Sequence, residues 1–178
     1  MKKQPQVTDA TRKSIVDAFW RIYQHKRIDH ITVREIASEA NVHRSTFYRY
    51  FEDVYDLLNR FEEELLTEIY GALQGKRVPM ELVEALSAFA ERICHLTGTS
   101  GDSEFRKKLE EKIKPIFLSM VNVPADSPVT GYLFTFAVST ILTNLHYWNE
   151  HRELFTIQQV AEMSLSVVGG GLARYTSE

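Results

Sequence analysis

Cysteine is nearly absent from this 178-residue chain. Cys94 stands alone, so no internal disulfide can form. A reducing cytoplasm fits that usage, with the thiol acting as a small buried hydrophobe. No apolar run approaches the roughly 20 residues that span a bilayer, so no membrane anchor is expected. The basic start, Met1-Lys2-Lys3-Gln4-Pro5-Gln6, has no apolar stretch behind it and does not read as a secretory signal. Strand-like alternation, internal repeats and low-complexity tracts are also missing. Gly169-Gly170-Gly171 has neither a strand before it nor a Lys-Ser/Thr after it, which excludes a phosphate loop. It is expected to end a helix or to let two helices pack closely. No cofactor or metal motif is found. What remains is an all-α chain of eight or nine helices, long enough to bury a real core.

Net charge is small overall and unevenly spread. The formal net charge is −3, which alone argues against a polyanion partner. Residues 1–52 carry ten Lys/Arg against six Asp/Glu, a net +4. Residues 53–178 carry eleven against eighteen, a net −7. A basic head on an acidic body restricts any contact with nucleic acid to the head.

In chain order, residues 1–7 form a loose arm. A first helix is expected from Thr8 to His25, with Ile15, Phe19 and Ile22 as its apolar stripe. A long helix from Val54 to Leu73 follows an N-cap at Asp53, with Leu57, Leu58, Phe61, Leu65 and Ile69 buried; Gly75 ends it. Pro79 suits the first turn of a helix reaching Leu96. Residues 97–103 are turn-rich. Glu104 to Val121 reads as helical, although Pro115 predicts a kink or a break. Tyr132 to Trp148 is apolar almost all round and must be covered on more than one side. A last helix runs from Thr156 to Gly169.

The most informative stretch is Ile31 to Phe51. Thr32 and Glu35 have the spacing of a capping box, and Val33, Ile36, Ala37 and Ala40 repeat at helical spacing. Asn41 sits where the chain must turn sharply and tolerates a left-handed backbone. From His43 a second short helix begins, with Phe47, Tyr50 and Phe51 on one side and His43, Arg44, Ser45, Thr46, Tyr48 and Arg49 available to the other. A DNA major groove accepts such a helix. Arg44 can pair with guanine O6 and N7, and Thr46 can meet a thymine methyl or a phosphate. Tyr48, Arg49 and Tyr50 can fix the register on phosphates, and Arg34 can reach a base edge or a phosphate. Tyr50 is equally readable as half core.

Ile31-Thr32-Val33-Arg34-Glu35-Ile36-Ala37, then Thr46-Phe47-Tyr48-Arg49-Tyr50-Phe51, then Leu57-Leu58, resembles the DNA-binding head of the TetR family of transcriptional regulators. The resemblance covers about residues 8–60. It implies a helix-turn-helix domain at 8–53, a three-helix head, and a helical dimerisation and effector-binding body at 54–178. It also implies DNA contacts from Arg34, Arg44, Thr46, Tyr48, Arg49 and Tyr50, with His43 and Ser45 on the same face. The implied protein is a homodimeric repressor on a palindromic double-stranded DNA operator, joined through its last two helices and released by a small effector. One departure stands out. Many members carry Lys where this chain has Val54, which removes a phosphate anchor at the start of the fourth helix.

Phe89, Ile93, Phe117, Phe134 and Trp148 are candidate liners of an effector pocket, although aromatics at helical spacing also make ordinary core. Two other classes compete. A helical protein-interaction module would lack salt-dependent DNA affinity. An enzyme is not expected: Cys94 and His95 point about 100° apart on a helix. His146 and Glu150, at i and i+4, lack a third metal ligand.

Overall fold

The structure, a computed structural model, describes residues 5–75, 85, 87–99, 101–120, 124 and 126–176. The described residues form eight α-helices and no strand. In order they are α1 (Pro5–Tyr23), α2 (Val33–Glu39), α3 (Arg44–Phe47), α4 (Val54–Leu73), α5 (Ala90–Thr97), α6 (Phe105–Met120), α7 (Pro128–Glu150) and α8 (Ile157–Thr176). A single 3-10 turn, Ile28–His30, precedes α2. The all-α architecture expected from the sequence is therefore present.

The chain divides into two compact units, residues 1–65 and 66–178, with the division inside α4. In the first unit, α1 buries Ile15, Ala18, Phe19 and Tyr23, and α4 buries Val54, Leu57, Leu58 and Phe61. Phe19 stacks on Tyr23 at 5.1 Å, and half-buried Trp20 stacks on Phe61 at 5.3 Å. Ring pairs in such geometries add to the energy of plain burial. Ile36 and Ala37 of α2, with Phe47 and Phe51 beyond the turn, complete this core. Asp53 caps α4 by accepting the Asp56 amide at 2.8 Å, and Gly75 follows the helix at φ +78°.

In the second unit α7 is the central element. Ser127 caps it and Pro128 opens it, since proline loses nothing where the first amides have no helical partner. Its buried side includes Leu133, Phe134, Ala137, Val138, Leu142, Leu145 and Trp148. α8 packs on it through Val160, Ser164 and Val168, and Asn144 donates to the Ser164 hydroxyl at 2.8 Å. α5 meets α7 through Cys94, whose thiol donates to the Leu145 carbonyl, and through Thr97, 2.9 Å from His146 Nε2. The 97–103 loop is tight as expected: a Cβ on Gly101 would stand 2.2 Å from the Leu96 carbonyl oxygen, so only glycine fits.

One expectation fails and another is narrowed. The last helix does not end at Gly169 but runs through all three glycines to Thr176. Each glycine costs roughly 1 kcal/mol against alanine in a helix, which is a bias and not a stop. Nor do Gly169 and Gly170 mark close packing within the chain, because a Cβ at either would meet nothing within 4 Å. Of the kink or break expected at Pro115, the break does not occur: α6 is continuous from Phe105 to Met120. Pro115 is exposed there, so the carbonyl it strands can turn to water. Of the helix expected from Pro79 to Leu96, residues 79–84 and 86 lie outside the described residues; its end is α5.

Candidate nucleic-acid interface

The turn between α2 and α3 is set almost wholly by local chemistry. Thr32 Oγ1 accepts the Glu35 amide at 3.3 Å, and Glu35 returns the bond by accepting the Thr32 amide at 2.9 Å. Both halves of the capping box are thus made. Glu35 also accepts from Lys26 Nζ at 2.5 Å, which ties the box to the chain leaving α1. Lys26, with Thr32 behind it, lowers the Glu35 carboxyl to about 2. At the other end of α2, Asn41 takes φ 53°, the left-handed value its sequence position demanded. The Val42 amide donates back to Ala37 at 2.9 Å and the Asn41 amide to Ser38 at 3.1 Å. These two bonds form a Schellman closure that satisfies the last carbonyls of α2 and turns the chain sharply.

α3 then begins at Arg44. It has four residues in regular α conformation, and the chain continues through bonds from Arg49 to Thr46 and from Tyr50 to Phe47. Phe47 is fully buried and pins this segment to the core. The opposite side carries the residues singled out for DNA. His43, Arg44, Ser45, Tyr48 and Arg49 are exposed, while Thr46 and Tyr50 are half-buried. Arg34 is exposed at the start of α2. His43 occupies the N-cap of α3 without a side-chain bond to the helix, which leaves its imidazole uncommitted. Arg44 Nη2 donates to the Tyr48 hydroxyl at 3.3 Å, and the Arg49 guanidinium lies 5.8 Å from the centre of the Tyr50 ring. Tyr50 is thus both things the sequence allowed, partly core and partly accessible.

The start of α4 sets an edge. Val54 is buried, and two amides flanking it, those of Glu52 and Asp56, have carboxylate partners. Glu52 donates its amide to Asp56 at 3.0 Å, and Asp56 donates its own to Asp53. Arg60, with the Glu52 amide, holds the Asp56 carboxyl below its ordinary value. Carboxylates therefore fill the place where a helix N-terminus would receive phosphate. One accessible aromatic escaped the sequence reading: Tyr55 is 55% exposed. The signal was there, since position 55 falls off the stripe formed by Val54, Leu57, Leu58 and Phe61.

The body candidates do not form one group. Phe117 and Phe134 meet edge to face at 5.3 Å. Trp148 is buried, donates to the Phe155 carbonyl at 3.2 Å and lies under Arg152. Ile93 is core, and Phe89 stands at the N-cap of α5 with Arg92 over its ring. A cavity of about 20 Å³ opens elsewhere, between Ile141 and Leu145 of α7 and Ile157, Val160, Ala161 and Leu165 of α8. That space holds about one water, far less than a drug-sized ligand needs. Cys94 shows the reverse of nucleophile chemistry: burial pushes its thiol up to about 11. Among the described residues, no group of three or more His, Cys, Asp and Glu could hold a metal ion. Among those residues no helix is long and apolar enough to cross a membrane.

Residues 15–61, the part of the chain that builds this turn and its exposed face, match the family described as bacterial regulatory proteins, tetR family. That stretch is a TetR-family helix-turn-helix head. The chain is a DNA-binding transcriptional regulator. Solved structures share the whole fold. A TetR transcriptional regulator from Streptococcus agalactiae superposes with a TM-score of 0.65 at 24% identity, over 92% of this chain and 96% of that one. The fatty acid degradation regulator FadR from Bacillus halodurans gives 0.69 at 17% identity, over 97% and 98%. SmeT, the repressor of the Stenotrophomonas maltophilia multidrug efflux pump SmeDEF, gives 0.66 at 15% identity, over 92% and 91%. No curated protein matches the chain by sequence.

Proposed function

We propose that this TetR-family protein is a cytoplasmic homodimeric repressor that reads a palindromic operator with α3 and lets go when a small molecule binds its body. The observation that carries the reading is the exposed set Arg34, His43, Arg44, Ser45, Tyr48 and Arg49 on a segment anchored by buried Phe47. Arg44 is assigned to a base edge, and Tyr48, Arg49 and Tyr50 to phosphates, with Thr46 between them. The carboxylates at the start of α4 put the limit of the reading surface near Tyr50. SmeT, a repressor of similar fold, supports the sign of the regulation.

Dimerisation is supported by two unsatisfied stripes. On α7, Val129, Tyr132, Phe136 and Tyr147 are exposed, with Tyr132 at 71%. On α8, Met163 and Val167 are exposed, and Gly170 lies in the same row with open space where a Cβ would stand. Apolar side chains at spacings of three and four along two neighbouring helices are what a four-helix interface between copies requires. Two recognition segments would then meet DNA about one turn apart. The effector needs a body that opens beyond the 20 Å³ found between α7 and α8. Phe117 and Phe134, already in contact, are the first of the five candidates to probe.

Selection of bound duplexes from a random DNA pool with the purified protein tests the reading. The expected result is one enriched sequence with two-fold symmetry, bound with an affinity that falls steeply as salt rises. Absence of any enriched sequence would refute it.

A further inference from the structure

We infer that Tyr48 is a positioning residue for Arg44, so that base reading and phosphate anchoring in this head are one coupled contact and not two separate ones. The inference rests on the proposed assignment of Arg44 to a base edge. Arg44 and Tyr48 lie four residues apart, one turn of helix, and share a face. The guanidinium donates to the phenol oxygen at 3.3 Å. The Tyr48 ring is the fixed partner, because it stands edge-on against buried Phe47 with centroids 5.7 Å apart and an interplanar angle of 87°. Phe47 itself is fully buried. Core packing thereby reaches through Phe47 to the Tyr48 ring, and through its hydroxyl to the arginine.

The proton inventory allows all contacts at once. The phenol oxygen accepts one N–H from Arg44 while its own O–H remains free to donate to a phosphate oxygen. The guanidinium has five N–H donors, so one spent on Tyr48 leaves a pair for guanine O6 and N7. A run from base through Arg44 and Tyr48 to phosphate is therefore satisfied at every atom. An arginine side chain has many rotamers, and holding it near its bound direction lowers what binding must spend on ordering it. In free solution the bond is long and exposed, so it biases the guanidinium without locking it. Closed against DNA, with water excluded, the same bond is electrostatically stronger. Arg49 is not held in this way. Its guanidinium lies over the Tyr50 ring, 5.8 Å from the centroid, and it serves as the internal comparison.

The test uses the full chain and the duplex that wild-type protein selects from random DNA, together with all single base-pair changes of that duplex. Arg44→Ala is expected to erase discrimination at one base pair per half-site, where the wild type discriminates by tenfold or more. Tyr48→Phe, which keeps the ring on Phe47 and should unfold at the wild-type temperature, is expected to cut discrimination at that same base pair at least threefold. It should do so beyond any uniform loss, and the double variant should be no worse at that base pair than Arg44→Ala alone. A Tyr48→Phe variant that weakens every duplex by one common factor overturns the coupling and leaves Tyr48 a simple phosphate anchor; the proposed function survives that result. If Arg44→Ala itself changes no base preference, the coupling also falls. If no duplex is selected at all, the function reading fails first and the inference falls with it.

Discussion

Residues 31–51 and residues 128–176 are both helical, yet they are finished to different degrees. In the first stretch the capping box, the left-handed Asn41 and the two backward amide bonds close nearly every loose end of α2 locally. What it leaves exposed is polar. In the second, α7 and α8 cover each other on one side and leave Tyr132, Phe136, Met163 and Val167 in water. The head is complete as a fold and incomplete only toward DNA. The body leaves apolar side chains uncovered. The contrast shows how a small chain can separate a reading element from an assembly element: each leaves a different kind of group unsatisfied.

The largest expected effect tests whether the head is one cooperative core. Phe47→Ala removes a fully buried ring and should cost about 3–5 kcal/mol of unfolding free energy by denaturant titration, with DNA binding lost. A loss below about 1 kcal/mol would mean that α3 is not anchored as described. On the body, Val167→Asp places a carboxylate in the exposed stripe of α8. It should convert a dimer to a monomer in sedimentation at micromolar concentration while leaving helix content unchanged. A wild-type chain that already sediments as a monomer would remove the comparison. Next, Arg44→Ala should weaken operator binding by about 1–3 kcal/mol and relax choice at one base pair, read by competition between duplexes.

The smallest effect concerns pH. Glu35 has its carboxyl lowered to about 2 by Lys26 and Thr32. A lowered acid stabilises the fold above its unfolded value, here 4.5, and that contribution fades as pH falls from 4.5 toward 2. Glu35→Gln should flatten this part of the stability–pH curve. The change should be small, because the Lys26–Glu35 pair is partly in solvent and screened. An unaltered slope between pH 4.5 and 2 would show the network to be unimportant in solution.

The sequence announced the head almost completely, for a physical reason. Caps and left-handed turns are decided by residues within four positions of one another, so Thr32, Glu35, Asn41 and Asp53 could be read directly. The Val54–Leu73 helix was legible through its long stripe. Non-local facts were not. That Arg44 leans on Tyr48, or that Lys26 reaches Glu35, depends on side-chain directions that composition and period leave open. The glycines of α8 misled because a propensity near 1 kcal/mol each loses to continuous neighbouring helix. The pocket candidates were aromatics at helical spacing, and packing scattered them: Phe117 and Phe134 meet, while Ile93 and Trp148 are buried in core.

The corner at Asn41 has one more meaning. Its closing bonds run between main-chain atoms, from Val42 to Ala37 and from Asn41 to Ser38. The side chains of Ser45 and Arg49 take no part in them and are exposed. Spelling and scaffold are thus held by different atoms. On the proposed assignment, substitutions at Ser45 can change which operator is chosen and substitutions at Arg49, a phosphate contact, can change how tightly, while the corner keeps its angle. That independence makes this short segment a ready handle for retargeting the regulator to new DNA.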